Sequence, residues 1–207
     1  MVFIGRVTFV MIVLASLAGC ASMNKSECLN ADWHMIGMED GSKGQPVSYI
    51  GNHRKACSDY NIKPDLVAYE AGHAAGMEQF CTESNGFRLG SRGGFYSGVC
   101  PPELEEYFLT GYDAGRKIHV AKIEVQQAAD AVKSNQAQLD KLKKDIKAKE
   151  TLLVSSKTSE MTRVDLLQEI KTDEKKVEEL EEKVLTLESD KKEKLAEYEE
   201  IKKMYQY

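Results

Sequence analysis

Apolar residues recur every seven positions along the second half of the chain. Aliphatic side chains follow one another at this interval from Ile118 onward, and small or aliphatic ones lie between them: Val125, Val132, Leu139, Ile146 and Leu153, with Ala121, Ala128 and Leu142. This spacing is typical of the a and d positions of a coiled coil. The pattern predicts a long helix with a single apolar seam.

A second seam follows in a different register. Its members are Ile170, Val177 and Val184 at one heptad position and Leu166, Leu180, Leu187 and Ile201 at the other. Between the seams lies SSKTS, residues 155–159, whose side chains are poor helix formers that also cap helices. Either one helix continues through a stutter as a rod, or the chain turns back at this point. Lys149, Lys191 and Lys194 interrupt the seams.

Charge separates these two alternatives. Residues 118–157 carry 8 basic and 5 acidic side chains, whereas residues 158–207 carry 10 basic and 15 acidic ones. Arms of opposite net charge attract each other along an antiparallel pair of helices. The absence of glycine and proline from SSKTS favours the rod. On balance we predict a coiled-coil hairpin over residues 118–207, with its turn near residues 155–159.

Glycine pairs distinguish the first half of the chain. They stand four residues apart, each after an aromatic residue: Gly37 and Gly41, Gly72 and Gly76, Gly111 and Gly115. A glycine inside a helix costs about 1 kcal/mol relative to alanine, but this spacing lets another backbone approach closely. The pairs therefore predict close packing in a small helical domain over residues 28–117. Ligand binding at the bare backbone is the alternative.

Two related motifs mark helix starts in this domain. PDLVAY begins at Pro64 and PELEEY at Pro102, and both combine proline with an acid, as first helical turns prefer. A further helix is predicted from Pro46 to Tyr60. The run GSRGGFYSG, residues 90–98, is interpreted as a turn-rich, glycine-rich loop that could form a short hairpin.

The amino terminus carries an export signal. One arginine, Arg6, precedes about a dozen apolar or small residues, too few to span a bilayer as a helix. The following Leu-Ala-Gly-Cys, residues 17–20, resembles the lipobox of bacterial lipoproteins. That resemblance implies a signal peptide over residues 1–19, cleavage before Cys20, acylation of Cys20 and a lipidated tether over residues 20–27. The absence of aspartate after Cys20 resembles the outer-membrane address of Gram-negative lipoproteins, with the protein facing the periplasm.

Four cysteines remain once Cys20 is assigned to lipid: Cys28, Cys57, Cys81 and Cys100. In an oxidising compartment an even set indicates disulfides, and four cysteines allow three pairings. We favour Cys28 with Cys57 and Cys81 with Cys100, because each pair brackets one loop-rich segment. The cysteines and histidines lack the spacing of a zinc site, so no metal or cofactor is predicted.

No pair of residues suggests catalysis. His53 lies on the apolar stripe of its helix, where a hydrogen-bonded structural role is expected, and capping or turns account for Asp40, Asp59, Asp65 and Asp113. An envelope hydrolase would require His53, Asp65 and Arg92 to converge in one cleft. We therefore predict that the chain is not an enzyme. Its net charge of −5 also makes nucleic acid an unlikely partner for an exported protein.

Several motifs together resemble one family. The runs HRKAC, PDLVAYEAGHAAGMEQFC and YFLTGYDAG, together with the glycines of NGFRLGSRGGFYSGVCP, are similar to the DUF2799 family of small bacterial lipoproteins, whose function is unknown. The similarity covers roughly Cys28 to Gly115. It implies that the four cysteines belong to the domain framework and that a lipid-anchored envelope protein is the expected context.

The leading functional hypothesis is a membrane-anchored envelope lipoprotein with a structural or protein-interaction role. Lipid on Cys20 would hold the membrane, and the coiled coil would hold an envelope protein or cell-wall partner. The alternative is a small-ligand-binding lipoprotein that uses the glycine and aromatic domain. Its candidate ligand or packing face comprises Trp33, His53, Tyr69, Gly72, Gly76, Tyr96, Tyr107, Gly111 and Gly115.

Overall fold

A computed structural model describes residues 23–205, all of whose regular structure is helical. The helices are α1 (Lys25–Leu29), α2 (Trp33–Ser42), α3 (Ile50–Ser58), α4 (Leu66–Phe80), α5 (Glu83–Ser91), α6 (Pro102–Leu153) and α7 (Glu160–Met204), with a 3₁₀ turn at Val47–Tyr49. The mainly α fold class is thereby confirmed. The signal peptide, Cys20 and the start of the tether lie outside the described residues.

The fold divides into two compact units. The first contains the chain through Cys81 together with Gly98–Leu104, and the second contains Thr82–Ser97 and the chain from Glu105 onward. Helix α6 starts at Pro102, as its motif predicted, and runs without a break past residue 118. The predicted loop at residues 90–98 is shorter than expected because α5 extends through Ser91, and no strand forms in the part of this segment that follows.

Glycines bring α2 and α4 into backbone contact in the first unit. A Cβ atom at Gly37 would overlap the carbonyl oxygen of Tyr69, and one at Gly72 would overlap that of His34. Gly41 and Gly76 repeat the same arrangement one turn further on, against the carbonyls of His73 and Met38. Each helix therefore presents a glycine pair to the other, and no side chain separates the two backbones.

The second unit repeats this packing with α5 and α6. Gly86 and Gly90 lie against the carbonyls of Phe108 and Tyr112, while Gly111 and Gly115 lie against those of Glu83 and Phe87. The turn that follows the first helix also matches. Gly44 and Gly93 have φ angles of 72° and 74°, each three residues after the last glycine of a pair. The two units thus contain two copies of one helix–turn–helix packing motif.

Two disulfides have the pairing favoured from the sequence. Cys28 of α1 is bonded to Cys57 of α3, and Cys81 at the end of α4 is bonded to Cys100 in the loop before α6. All four cysteines are buried. The first disulfide fixes α3 against the segment that leads into α2, while the second closes the segment that contains α5.

The second unit ends in an antiparallel hairpin of α6 and α7, so the rod alternative is wrong. Lys143 pairs with Glu181 at 2.6 Å, and Lys194 pairs with Glu124 at 3.1 Å, which places the far ends of the two helices side by side. The connection falls at residues 154–159, where SSKTS predicted it. The Lys143–Glu181 pair joins a base of the basic arm to an acid of the acidic arm, whereas in the Lys194–Glu124 pair the lysine belongs to the acidic arm.

A polar layer around Asp173 interrupts the hairpin seam. Asp173 is buried and accepts a hydrogen bond from Lys149 at 2.7 Å, and Lys149 also pairs with Glu169 at 2.9 Å. The pKa of Lys149 is raised and that of Asp173 is lowered, chiefly by their mutual hydrogen bond. Because Lys149 and Lys194 meet acids of the opposite arm, they fix the helix register, as single polar seam positions do in coiled coils.

Candidate functional site

A polar cluster lies inside the first unit, where the glycine contact draws α2 against α4. The Asp40 carboxylate accepts two hydrogen bonds on one oxygen, from His53 Nε2 at 2.7 Å and from the Tyr69 hydroxyl at 2.8 Å. Asp40 is 7% exposed and Tyr69 is completely buried. Three helices, α2, α3 and α4, thus converge on one carboxylate.

Aromatic rings surround the histidine of this cluster. The His53 ring centroid lies 5.5 Å from that of Tyr49, 6.2 Å from that of Tyr69 and 6.4 Å from that of Trp33. On the other side of Tyr69, the His73 ring stacks at 6.0 Å and its Nε2 donates to the Gln45 carbonyl oxygen. These rings leave 18% of the His53 side chain and 10% of the Asp40 side chain exposed, and this partial burial strengthens the hydrogen bonds.

The second copy of the motif has no such cluster. Leu89 precedes the glycine that matches Gly41, and Phe108 occupies the place of Tyr69 before Gly111. One hydrogen bond persists, because Tyr112 donates to the Gly94 carbonyl oxygen as His73 donates to that of Gln45. Asp40 and Tyr69 are therefore a feature of the first copy, on packing that also forms without them.

The cluster makes the stability of the first unit sensitive to alkaline pH. Burial, followed by the hydrogen bond and the negative charge of Asp40, raises the pKa of Tyr69 above its ordinary value near 10. A folded-state pKa above the unfolded one contributes stability that is complete below pH 10 and is lost as pH rises further. As pH rises, Tyr69 loses its proton in the unfolded chain before it does so in the folded one. Between the two pKa values the unfolding free energy therefore falls by about 1.4 kcal/mol per pH unit.

We therefore expect the unfolding free energy of the wild type to fall between pH 10 and 11 by about 1 kcal/mol more than that of Tyr69→Phe. Urea unfolding at both pH values, with the disulfides intact, measures this difference. Lysine titration affects both proteins equally, so it cancels in the comparison. Parallel pH profiles would contradict the assignment of the shift to Tyr69.

The residues of the predicted ligand or packing face do not form one surface in the structure. Trp33, His53 and Tyr69 come together in the first unit. In the second unit the Tyr96 ring lies 4.6 Å from Phe108 and its hydroxyl donates to Glu105, whereas Tyr107 is exposed. Their glycine neighbours all lie at helix contacts, in the positions given above: Gly72, Gly76, Gly111 and Gly115.

Two acids were misassigned from the sequence. Asp113 lies inside α6, away from both helix ends, so the capping or turn interpretation of it was wrong. Asp40 lies within α2 as a buried acceptor and is not a cap, so the capping interpretation of it was wrong. Asp65 does cap a helix, since its side chain accepts from Ala68 N at the start of α4. Arg92 donates to the Arg88 carbonyl oxygen. The sequence did contain one indication that Asp40 is buried. It directly precedes Gly41, which belongs to the glycine pair that packs against α4.

Chemistry at the cluster is restricted by burial. The Tyr69 hydroxyl has no solvent access, so a substrate could reach it only if α2 and α4 separated. Across residues 23–205, no group of three or more histidine, cysteine or acidic side chains is placed to hold a metal ion. The same residues include no helix with the length and apolar character needed to cross a bilayer.

Comparison with known protein families identifies a match to part of the chain. A family model described as "Protein of unknown function (DUF2799)" matches residues 32–117, from the N-cap of α2 into α6. No curated protein and no solved structure matches the chain. The matched segment includes both copies of the glycine-packed motif. The resemblance to the DUF2799 family that the sequence motifs indicated is therefore confirmed over residues 32–117.

Proposed function

We propose that this chain is a lipid-anchored protein of the bacterial envelope that binds a partner protein through the tip of its helical hairpin. Lipid on Cys20 would supply the anchor. The observation that carries the proposal is a group of exposed apolar side chains near the hairpin turn, which we call the tip patch. It consists of Leu152, Val154, Met161, Val164 and Leu167, with exposed fractions between 47% and 80%.

The turn beneath the tip patch is held by a set of side-chain hydrogen bonds. Thr158 donates to the Leu152 carbonyl oxygen at 2.6 Å, and Arg163 donates to the carbonyl oxygens of Ser155 and Thr158 at 2.9 and 3.2 Å. Ser159 caps α7 by accepting from Thr162 N. These bonds hold the backbone of the turn, and the apolar side chains of the tip patch are exposed around it.

An ordered patch of this kind has a hydration cost that a partner would remove. Contiguous exposed apolar residues commonly mark interaction sites. The patch lies at the opposite end of the hairpin from the Lys117–Tyr205 hydrogen bond, roughly 65 Å away along α7 at 1.5 Å per residue. A protruding apolar tip suits a concave apolar surface on a second protein, which therefore is the partner chemistry we propose.

The experiment places a photo-crosslinking residue at Val154 of the full-length protein in living cells. We expect an adduct of discrete mass in the membrane fraction. The double change Met161→Ser with Val164→Ser should lower its yield at least tenfold, since burial of each apolar side chain contributes about 1.5–3 kcal/mol and tenfold corresponds to about 1.4 kcal/mol. Leu185→Ser is the matched control, because Leu185 is equally exposed on α7 but distant from the turn.

Each of these measurements can contradict the proposal. An equal loss of adduct in Leu185→Ser would mean that the tip patch has no special role. Absence of any adduct from Val154 would contradict partner binding at the tip. Cys20→Ser should move the protein into the soluble fraction, and retention in the membrane would contradict the lipid anchor.

A further inference from the structure

The first unit also contains a groove that is separate from the Asp40 hydrogen bonds and from the hairpin. It has a volume of about 510 Å³ and lies between α4 and residues 99–104. This volume is within the usual range for small-ligand sites, about 300–1,000 Å³. The Cys81–Cys100 disulfide ties the end of α4 to the opposite wall, with 5.7 Å between the Cα atoms. The two walls are therefore covalently linked beside the groove.

The lining of the groove is mostly aliphatic. Met77, which is 3% exposed, and Val99, Pro101 and Leu104 supply its apolar surface. A ligand that covers these side chains gains roughly 25 cal/mol for each Å² of apolar area removed from water. The ligand must therefore present an apolar segment of a few carbons.

All polar side chains of the lining are hydrogen-bond acceptors. Glu78 and Glu103 belong to it, and neither carboxylate has an ion-pair partner within residues 23–205. Within the described part of the chain, no lysine or arginine lines the groove. Two carboxylates beside an apolar surface create a negative potential that favours a cation over a neutral or anionic ligand.

His73 adds a third acceptor from the buried side of the groove. The ring is 7% exposed, and its Nε2 faces the Gln45 carbonyl oxygen at 2.8 Å. Because a carbonyl oxygen only accepts, Nε2 carries the proton, and in the neutral ring Nδ1 keeps a lone pair. Among the residues that the structure describes, no donor to Nδ1 is found. A ligand of this groove must therefore donate hydrogen bonds.

We propose that this groove binds a primary ammonium group on an aliphatic stem. Its stem covers Met77 and Leu104, and its ammonium group donates to Glu78 and Glu103. Such a group occurs in free alkyl diamines and in the side chain of a lysine-like residue in a peptide. This site does not depend on the hairpin tip or on lipidation.

Calorimetric titration of the full chain tests the site with two probes, 1,5-diaminopentane and Nα-acetyl-lysine amide. We expect at least one to bind, more weakly as salt rises, because the rim charges are screened. Tighter binding of the diamine would identify a free amine as the ligand source, and tighter binding of the lysine derivative would identify a peptide side chain.

Substitutions then locate the binding. Glu78→Gln with Glu103→Gln should weaken it at least tenfold, whereas Glu70→Gln, on an exposed position of the same helix α4, should leave it unchanged. Ala74→Lys places a tethered ammonium group in the groove and should abolish binding. The proposal is overturned if neither probe binds, if pentan-1-ol binds equally well, or if the double glutamine variant, folded by circular dichroism, keeps its affinity.

Discussion

Replacement of Gly72 by alanine should destabilise the first unit by about 3 kcal/mol or more, although alanine is the better helix former. The added methyl group would occupy the place of the His34 carbonyl oxygen. Backbone atoms cannot rotate aside as a flexible side chain can, so α2 and α4 would have to separate. That separation would also disturb the Asp40–Tyr69 hydrogen bond between the same helices.

Gly51→Ala is the matched control, because a Cβ atom at Gly51 of α3 meets nothing within 4 Å. It should stabilise the protein by about 0.5–1 kcal/mol through reduced entropy of the unfolded chain. Urea unfolding of both variants under non-reducing conditions measures the difference. If Gly72→Ala were as stable as the wild type, the backbone contact between α2 and α4 would be refuted.

The hairpin could be predicted because its signals are local and periodic. Heptad spacing selects the helical face, the two registers break at residues 155–159, and opposite charges along the arms select the antiparallel arrangement. Each signal is read within a short window of sequence. The disulfide pairing was predictable for a similar reason, since each pair closes one short segment, Cys28–Cys57 or Cys81–Cys100.

Helix α5 was not predicted because glycine is common both in loops and at close contacts between helices. Gly86 and Gly90 lie beside Gly93, Gly94 and Gly98, and this density suggests a loop when intrinsic propensity alone is considered. In the structure the first two pack against α6 and only the later ones belong to the turn. Tertiary contact with α6 therefore compensates for poor helix propensity, and a single segment carries no signal of its packing partner.

Asp40 could not be assigned from the sequence for a different reason. Its partners His53 and Tyr69 lie 13 and 29 residues away, on two other helices. An aspartate near a helix end usually caps it, and only the packing of α2 on α4 buries this one. The repeated motif supplies the comparison that the sequence alone did not, since the second copy shows an apolar pair at the same two places.

From that comparison we expect the effect of Tyr69→Phe on stability to change sign between the wild type and the Asp40→Leu variant. Tyr69→Phe in the wild type should cost about 1 kcal/mol, because it removes one hydrogen bond to Asp40. Asp40→Leu should cost about 2–4 kcal/mol, because it leaves the Tyr69 hydroxyl and the His53 ring without an acceptor in a buried site. In the Asp40→Leu background, Tyr69→Phe should instead stabilise, since it removes a buried unpaired hydroxyl and recreates the leucine and phenylalanine of the second copy.

Urea unfolding of the four proteins of this cycle gives the coupling between the two positions, which should exceed 1 kcal/mol. Tyr112→Phe is the control, because its hydroxyl donates to a backbone carbonyl in the second unit and not to Asp40. Its cost should be the same in both backgrounds. If Tyr69→Phe were equally destabilising with and without Asp40, the tyrosine hydroxyl would not depend on that carboxylate, and the polar cluster would lose its central bond.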